Sequence, residues 1–132
     1  MNVVIDASAL LAVLLDEPER SALIAATRGA TLCAPASVPW EVGNALSAML
    51  KRRRLDLPHV RRVVRAFEAV PLRSVPVDLG RALEVAGHQG LYAYDAYLLE
   101  AARAERCPLL TLDGTLNRAA AALGIRTIEV TT

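Results

Sequence analysis

The feature that most constrains this chain is a recurring pair: a short apolar run, then a longer stretch with helical spacing. Asn2 to Ile5, Thr31 to Ala34, Leu72 to Val75, Leu109 to Leu112 and Ile125 to Val130 are too short for helices and read as strands. NVVI and LLTL do not alternate polar with apolar residues, as expected of strands buried on both faces. Strands of this kind separated by helices predict an α/β fold, a mostly parallel central sheet with helices on both faces. The pattern shows no repeat or linker, so residues 1–132 are read as a single domain.

Helix boundaries come from local chemistry. Ser8 is a plausible N-cap for a helix through Leu15, and Glu19 to Arg28 follows as a helix stopped by Gly29. Ser37 opens the longest helix, in which Val38, Val42, Ala45, Leu46 and Met49 recur at helical spacing. Pro39 fits its first turn, and Lys51-Arg52-Arg53-Arg54 fall at the end the macrodipole favours for cations. Pro58 opens the next helix, Asp78 caps another ending near Gly87 to Gly90, and Tyr94 to Arg106 is helical again. His88 is read as loop, Leu116 to Leu123 as the last helix, and Gly124 as its C-cap.

Apolar residues make up 54% of the chain, enough for a core without disulfides, and the 4% aromatic content leaves Leu, Val and Ala to build it. Leu10 to Leu15 is hydrocarbon on most sides, which suits a buried helix or a pairing surface equally. No apolar window is long enough for a membrane span, and no basic residue precedes the first apolar run, so neither a membrane segment nor a signal peptide is expected. Cys33 and Cys107 lack metal-binding spacing and read as thiols of a reducing compartment, the cytoplasm. Eight of the 15 Lys and Arg lie between Lys51 and Arg73, opposed there only by Asp56 and Glu68. That segment is either a solvated helix face or a patch that holds a polyanion.

Four acids stand in apolar neighbourhoods. Asp6 and Asp113 lie at predicted carboxyl ends of strands, where ligands of parallel sheets sit. Glu41 lies beside the apolar stripe of the longest helix, and Asp95 lies at a helix start. Taken singly, Asp6 and Asp95 are explained as N-caps and Asp113-Gly114 as a turn pair. Glu41 beside an apolar stripe needs a partner or a ligand. If the four converge, repulsion forces protonation or a bound cation, and oxygen donors without Cys or His suit Mg²⁺ or Mn²⁺. Ser8 can support Asp6, and Asn44, one turn beyond Glu41, can orient it or face solvent. Such a site beside a basic patch suits phosphodiester hydrolysis.

Four blocks in order resemble the PIN-domain ribonucleases, specifically VapC-like toxins of bacterial toxin–antitoxin pairs. VVIDASALLAVLLDE is similar to the family's first strand and matches Asp6 to its first acid and Ser8 to its hydroxyl. VPWEVGNALSAML resembles the E-x-x-N-A-L helix and places Glu41; YDAYLLEAA places Asp95; LLTLDGTLNRAAAALGI places Asp113. Gly114 departs from the basic or bulky residue that many relatives carry there. The resemblance implies a PIN-like fold and an endoribonuclease using Mg²⁺ or Mn²⁺ at Asp6, Glu41, Asp95 and Asp113. It further implies RNA such as tRNA as substrate, a homodimer, and a cognate antitoxin that blocks the cleft. Lys51, Arg52, Arg53 and Arg54 are the expected substrate-binding cations, with His59 nearby.

Other duties compete: RNA maturation or DNA cleavage by the same fold, or a non-catalytic domain whose acids bind a partner. A phosphatase with an Asp nucleophile ranks last, because Ser8 stands where a second acid is usual.

Overall fold

The computed structural model describes residues 1–130. Four strands form one all-parallel sheet in the order β3-β2-β1-β4, with β1 Asn2–Ile5, β2 Thr31–Ala34, β3 Leu72–Ser74 and β4 Leu109–Leu110. Val4 sits opposite Cys33 on one side and Leu109 on the other, which makes β1 an interior strand. Side chains of successive strand residues point to opposite faces, yet Val3 and Val4 are both 0% exposed. Both faces of the sheet are therefore covered.

The helices are α1 Ala7–Leu14, α2 Arg20–Ala26, α3 Val38–Lys51, α4 Leu57–Glu68, α5 Leu79–Gln89, α6 Ala93–Glu105 and α7 Gly114–Ala122. Right-handed crossovers put the helices between β1, β2 and β3 on one face. The return across the sheet from β3 to β4 puts α5 and α6 on the other. Packing agrees: α1 lies against α2, α3 and α4, while α5 lies against α6, and α6 lies on β1. The core joins Val3, Val4, Leu10, Leu11, Leu98, Leu99, Leu109 and Leu110 across these layers. Leu10 and Leu11 are buried, so the hydrocarbon of α1 belongs to this core.

Four expectations are corrected. Ser8 does not cap α1; Asp6 does, because its extended backbone lets its own carboxylate accept the Ala9 N–H at 3.0 Å. Asp95 is not a cap, since Tyr92 occupies that position of α6. His88 lies in the last turn of α5, which runs on until Gly90 turns left-handed (φ 64°). Ile125 to Val130 is not a strand but makes one bridge, Leu109 to Thr127. Its one strand neighbour among the described residues is β4, which is two residues long and offers little ladder to extend.

Candidate active site

The strand order reverses between β1 and β4, and open parallel sheets bind ligands beyond the carboxyl ends at such a reversal. Asp6 follows the last residue of β1, and Asp113 follows β4 by three positions. Glu41 and Asp95 occupy the first turns of α3 and α6. Asp6 caps α1, and Asp113 caps α7 by accepting the N–H groups of Thr115 at 2.8 Å and Leu116 at 3.3 Å. All four acids thus stand at helix N-termini, whose partial positive charge favours carboxylates.

Asp6 is nearly buried and tightly held. The Ser8 hydroxyl donates to its Oδ1 at 2.7 Å, and the Thr111 hydroxyl donates to its Oδ2. A hydroxyl carries one proton, so both donors are committed to Asp6, and their oxygens are left to accept. They do: Ser8 Oγ receives the Leu112 N–H and Thr111 Oγ1 the Asp113 N–H, each at 3.0 Å. This lattice ties the end of β1 to the segment after β4. Asn117 adds to it by donating Nδ2 to the Thr111 carbonyl at 3.1 Å.

Thr111 was not singled out by the sequence, because a threonine in LLTL is an ordinary strand former. A usable signal was present: its hydroxyl lies two residues before Asp113, and Ser8 lies two residues after Asp6.

The acids perturb one another. Burial raises the pKa of Glu41 from 4.5 to about 7, and the charges of Asp6 and Asp95 add to the rise. Burial also raises Asp95, with contributions from Asp113 and Asp6. Asp6 is raised mainly by burial, against the lowering effect of its bonds to Thr111, Ser8 and Ala9. Each member therefore lies within the field of others. Oε2 of Glu41 is buried without a hydrogen-bond partner among the described residues, an arrangement that calls for a proton or a cation. The donor set, carboxylate oxygens with no thiolate or imidazole, fits a hard divalent ion. As the side chains stand, no three Asp, Glu, His or Cys among the described residues are drawn closely enough to hold an ion.

The supporting residues divide. Ser8 contacts Asp6 directly. Asn44 is exposed, and the unpartnered Oε2 of Glu41 receives nothing from it. Lys51, Arg52, Arg53 and Arg54 are exposed at the far end of α3, ten residues beyond Glu41. At 1.5 Å per residue this is roughly 15 Å along the helix. A cavity of about 430 Å³ opens there between Arg53, Arg54, Asp56 and His59. The cations do not join the acids, and any shared ligand has to be long.

The PIN domain family model matches residues 3–122. Ribonuclease VapC9 of Mycobacterium tuberculosis is 34% identical over 117 residues, 87% of this chain and 88% of that protein. The crystal structure of PAE2754 from Pyrobaculum aerophilum superposes with a TM-score of 0.73 at 24% identity, covering 96% of this chain and 83% of that one. VapBC2 from Rickettsia felis, solved bound to a DNA fragment from its promoter, gives a TM-score of 0.68 at 12% identity over 99% of this chain and 100% of that one. At such identities the two structures establish the fold.

Proposed function

The chain belongs to the PIN domain family, and from that membership we propose that it is a metal-dependent endoribonuclease, the toxin of a toxin–antitoxin pair. The observation that carries this reading is that Asp6, Glu41, Asp95 and Asp113 meet within one another's fields at the reversal of strand order. The Glu41 Oε2 is left without a partner among the described residues. The VapC9 relative supports RNA as the substrate.

Asp6, Glu41, Asp95 and Asp113 are the residues that would hold Mg²⁺ or Mn²⁺. Such an ion supplies positive charge to phosphate oxygens and acidity to a water. Ser8 and Thr111 fix both oxygens of Asp6, so this carboxylate enters the reaction already oriented. Asp113 is fixed by its cap bonds to α7. Glu41 supplies the adjustable member: its raised pKa leaves the carboxyl partly protonated near neutrality, and it would give up that proton to hold an ion. Lys51 to Arg54 hold phosphates of the RNA away from the cut, which orients a long substrate along α3.

The antitoxin is a protein that places a basic side chain among the acids, satisfying carboxylates as a paired guanidinium does. The toxin acts as a homodimer in the cytoplasm. No helix among the described residues is long and apolar enough to cross a membrane.

The test is RNA cleavage by purified protein in Mn²⁺, Mg²⁺ or EDTA beside folded Asp95→Asn. Cutting that requires the metal and is lost in the variant is the expected result. Equal cutting by both proteins refutes the assignment of the acids.

A further inference from the structure

A cavity of about 520 Å³ opens at the same end of the sheet as the acids, none of which lines it, and has no part in the chemistry above. The chain segments that leave the sheet at the carboxyl ends of β2 and β3 line it, Pro35 to Ser37 and Ser74 to Val77, and Tyr97 of α6 closes it. Ser37 stands four residues before Glu41, and Tyr97 stands two after Asp95. Ser37, the N-cap of α3, thus lies one turn before Glu41 on the same side of that helix. Tyr97 points to a different side of α6 from Asp95, so the cavity adjoins the acids through the start of α3. Neighbouring strands lie about 4.8 Å apart, so the β2–β3 end is roughly 5–10 Å from that of β1, where Asp6 sits.

The lining has a definite chemistry. No lining side chain is charged, so a phosphate or an ionised peptide side chain finds no partner. Tyr97 is held in place by Tyr94, edge to face with ring centres 6.1 Å apart at 84°. Ser74 is exposed, and Ser37 has a buried hydroxyl with no partner among the described residues. An apolar hollow with one fixed aromatic ring and a few polar groups suits a flat, neutral heterocycle with a polar edge. Unpaired RNA bases are recognised by stacking on aromatic rings and by hydrogen bonds to their edges.

We propose that this cavity receives one unpaired nucleobase of the RNA, adjoining the phosphodiester held at the acids. Tyr97 provides its stacking surface. The proposal rests on the ribonuclease reading and extends it: cleavage then favours a site beside an extruded base over a continuous duplex.

The test uses the whole chain with labelled Val and Leu methyl groups, in EDTA. The probes are the four nucleoside 5′-monophosphates and ribose 5-phosphate. The methyls of Val75, Val77 and Leu79 are expected to shift saturably with at least one nucleotide and not with ribose 5-phosphate. Tyr97→Ala should weaken that binding about tenfold, the loss expected for one base–aromatic stack. Val77→Trp, which fills the hollow, should abolish it and decides the matter if Tyr97→Ala does not fold. Silent methyls, or equal shifts with ribose 5-phosphate, overturn the proposal. Shifts that follow protein concentration alone overturn it too, and mark the cavity as an interface between copies. The readout needs no cleavage. RNA cutting by a protein with silent methyls leaves the nuclease standing without this pocket, and nucleotide binding without RNA cutting has the converse meaning.

Discussion

Replacing Glu41 by Gln probes the acid cluster without any RNA. In the folded protein this carboxyl titrates near 7 instead of 4.5, chiefly because it is buried and then because Asp6 and Asp95 lie close. Between those two pH values the folded state binds more protons than the unfolded state, so stability falls as pH rises through the window. The full shift would correspond to roughly 3 kcal/mol above pH 7. Solvent screening at a half-buried group reduces this to about 1–2 kcal/mol. Gln keeps the shape and never ionises. In EDTA at pH 8, Glu41→Gln should therefore melt above wild type by about 3–8 °C for a domain of this size. The gap should narrow as pH falls through 7 and nearly close at pH 5. Mn²⁺ should reverse the order, since only wild type binds it fully; an ion at 100 times its Kd adds about 2.7 kcal/mol. Thermal unfolding followed by circular dichroism at pH 5 and pH 8 measures all three. A gap that is constant with pH, or larger at pH 5, refutes the argument that Glu41 is held in a repulsive, dehydrated site.

Thr111→Val removes a donor to Asp6 and an acceptor for the Asp113 N–H, and should destabilise the fold by about 1–3 kcal/mol in urea titrations. It should also move the acidic limb of the cleavage–pH profile to higher pH, because the lost bond lowers the Asp6 pKa; an unmoved limb counts against Thr111 as support. Arg103 pairs through two bonds with Glu100, whose side chain is 2% exposed, so Arg103→Ala should cost about 2–3 kcal/mol. Adding Glu100→Gln should restore most of that, and no recovery would mean that packing dominates. Neutralising Lys51, Arg52, Arg53 and Arg54 together should flatten the salt dependence of RNA binding by about 3 in the log–log slope if all four meet phosphates. An unchanged slope removes them from the substrate path.

Asp6 was legible because a charge after NVVI has few explanations, and its helix-capping and active-site explanations turn out not to exclude each other. One oxygen caps α1, and the whole group still faces the other acids. The remote position of Lys51 to Arg54 was also readable, since ten helical residues separate them from Glu41. Composition alone suggested a patch beside the acids, and helix rise corrects that. Thr111 was hidden because its role depends on which strands are neighbours, and β1 and β4 are joined only through tertiary structure. The last apolar run misled for a related reason: IRTIEV has the composition of a strand, but a ladder needs a long enough partner.

The hydrogen bond from Thr111 to Asp6 spans 105 positions of sequence. A chain emerging from the ribosome presents Asp6 first, and β1, β2 and β3 can pair before Asp95, Thr111 or Asp113 has been made. Until residue 95 is added such a chain holds at most two of the four acids, and until residue 111 it lacks the Thr111 donor that helps to orient the first. We expect destructive capacity to arrive only with the last segments, after most of the sheet has assembled. On the ribonuclease reading, the order of the strands would leave the chain inert until its last segments have folded.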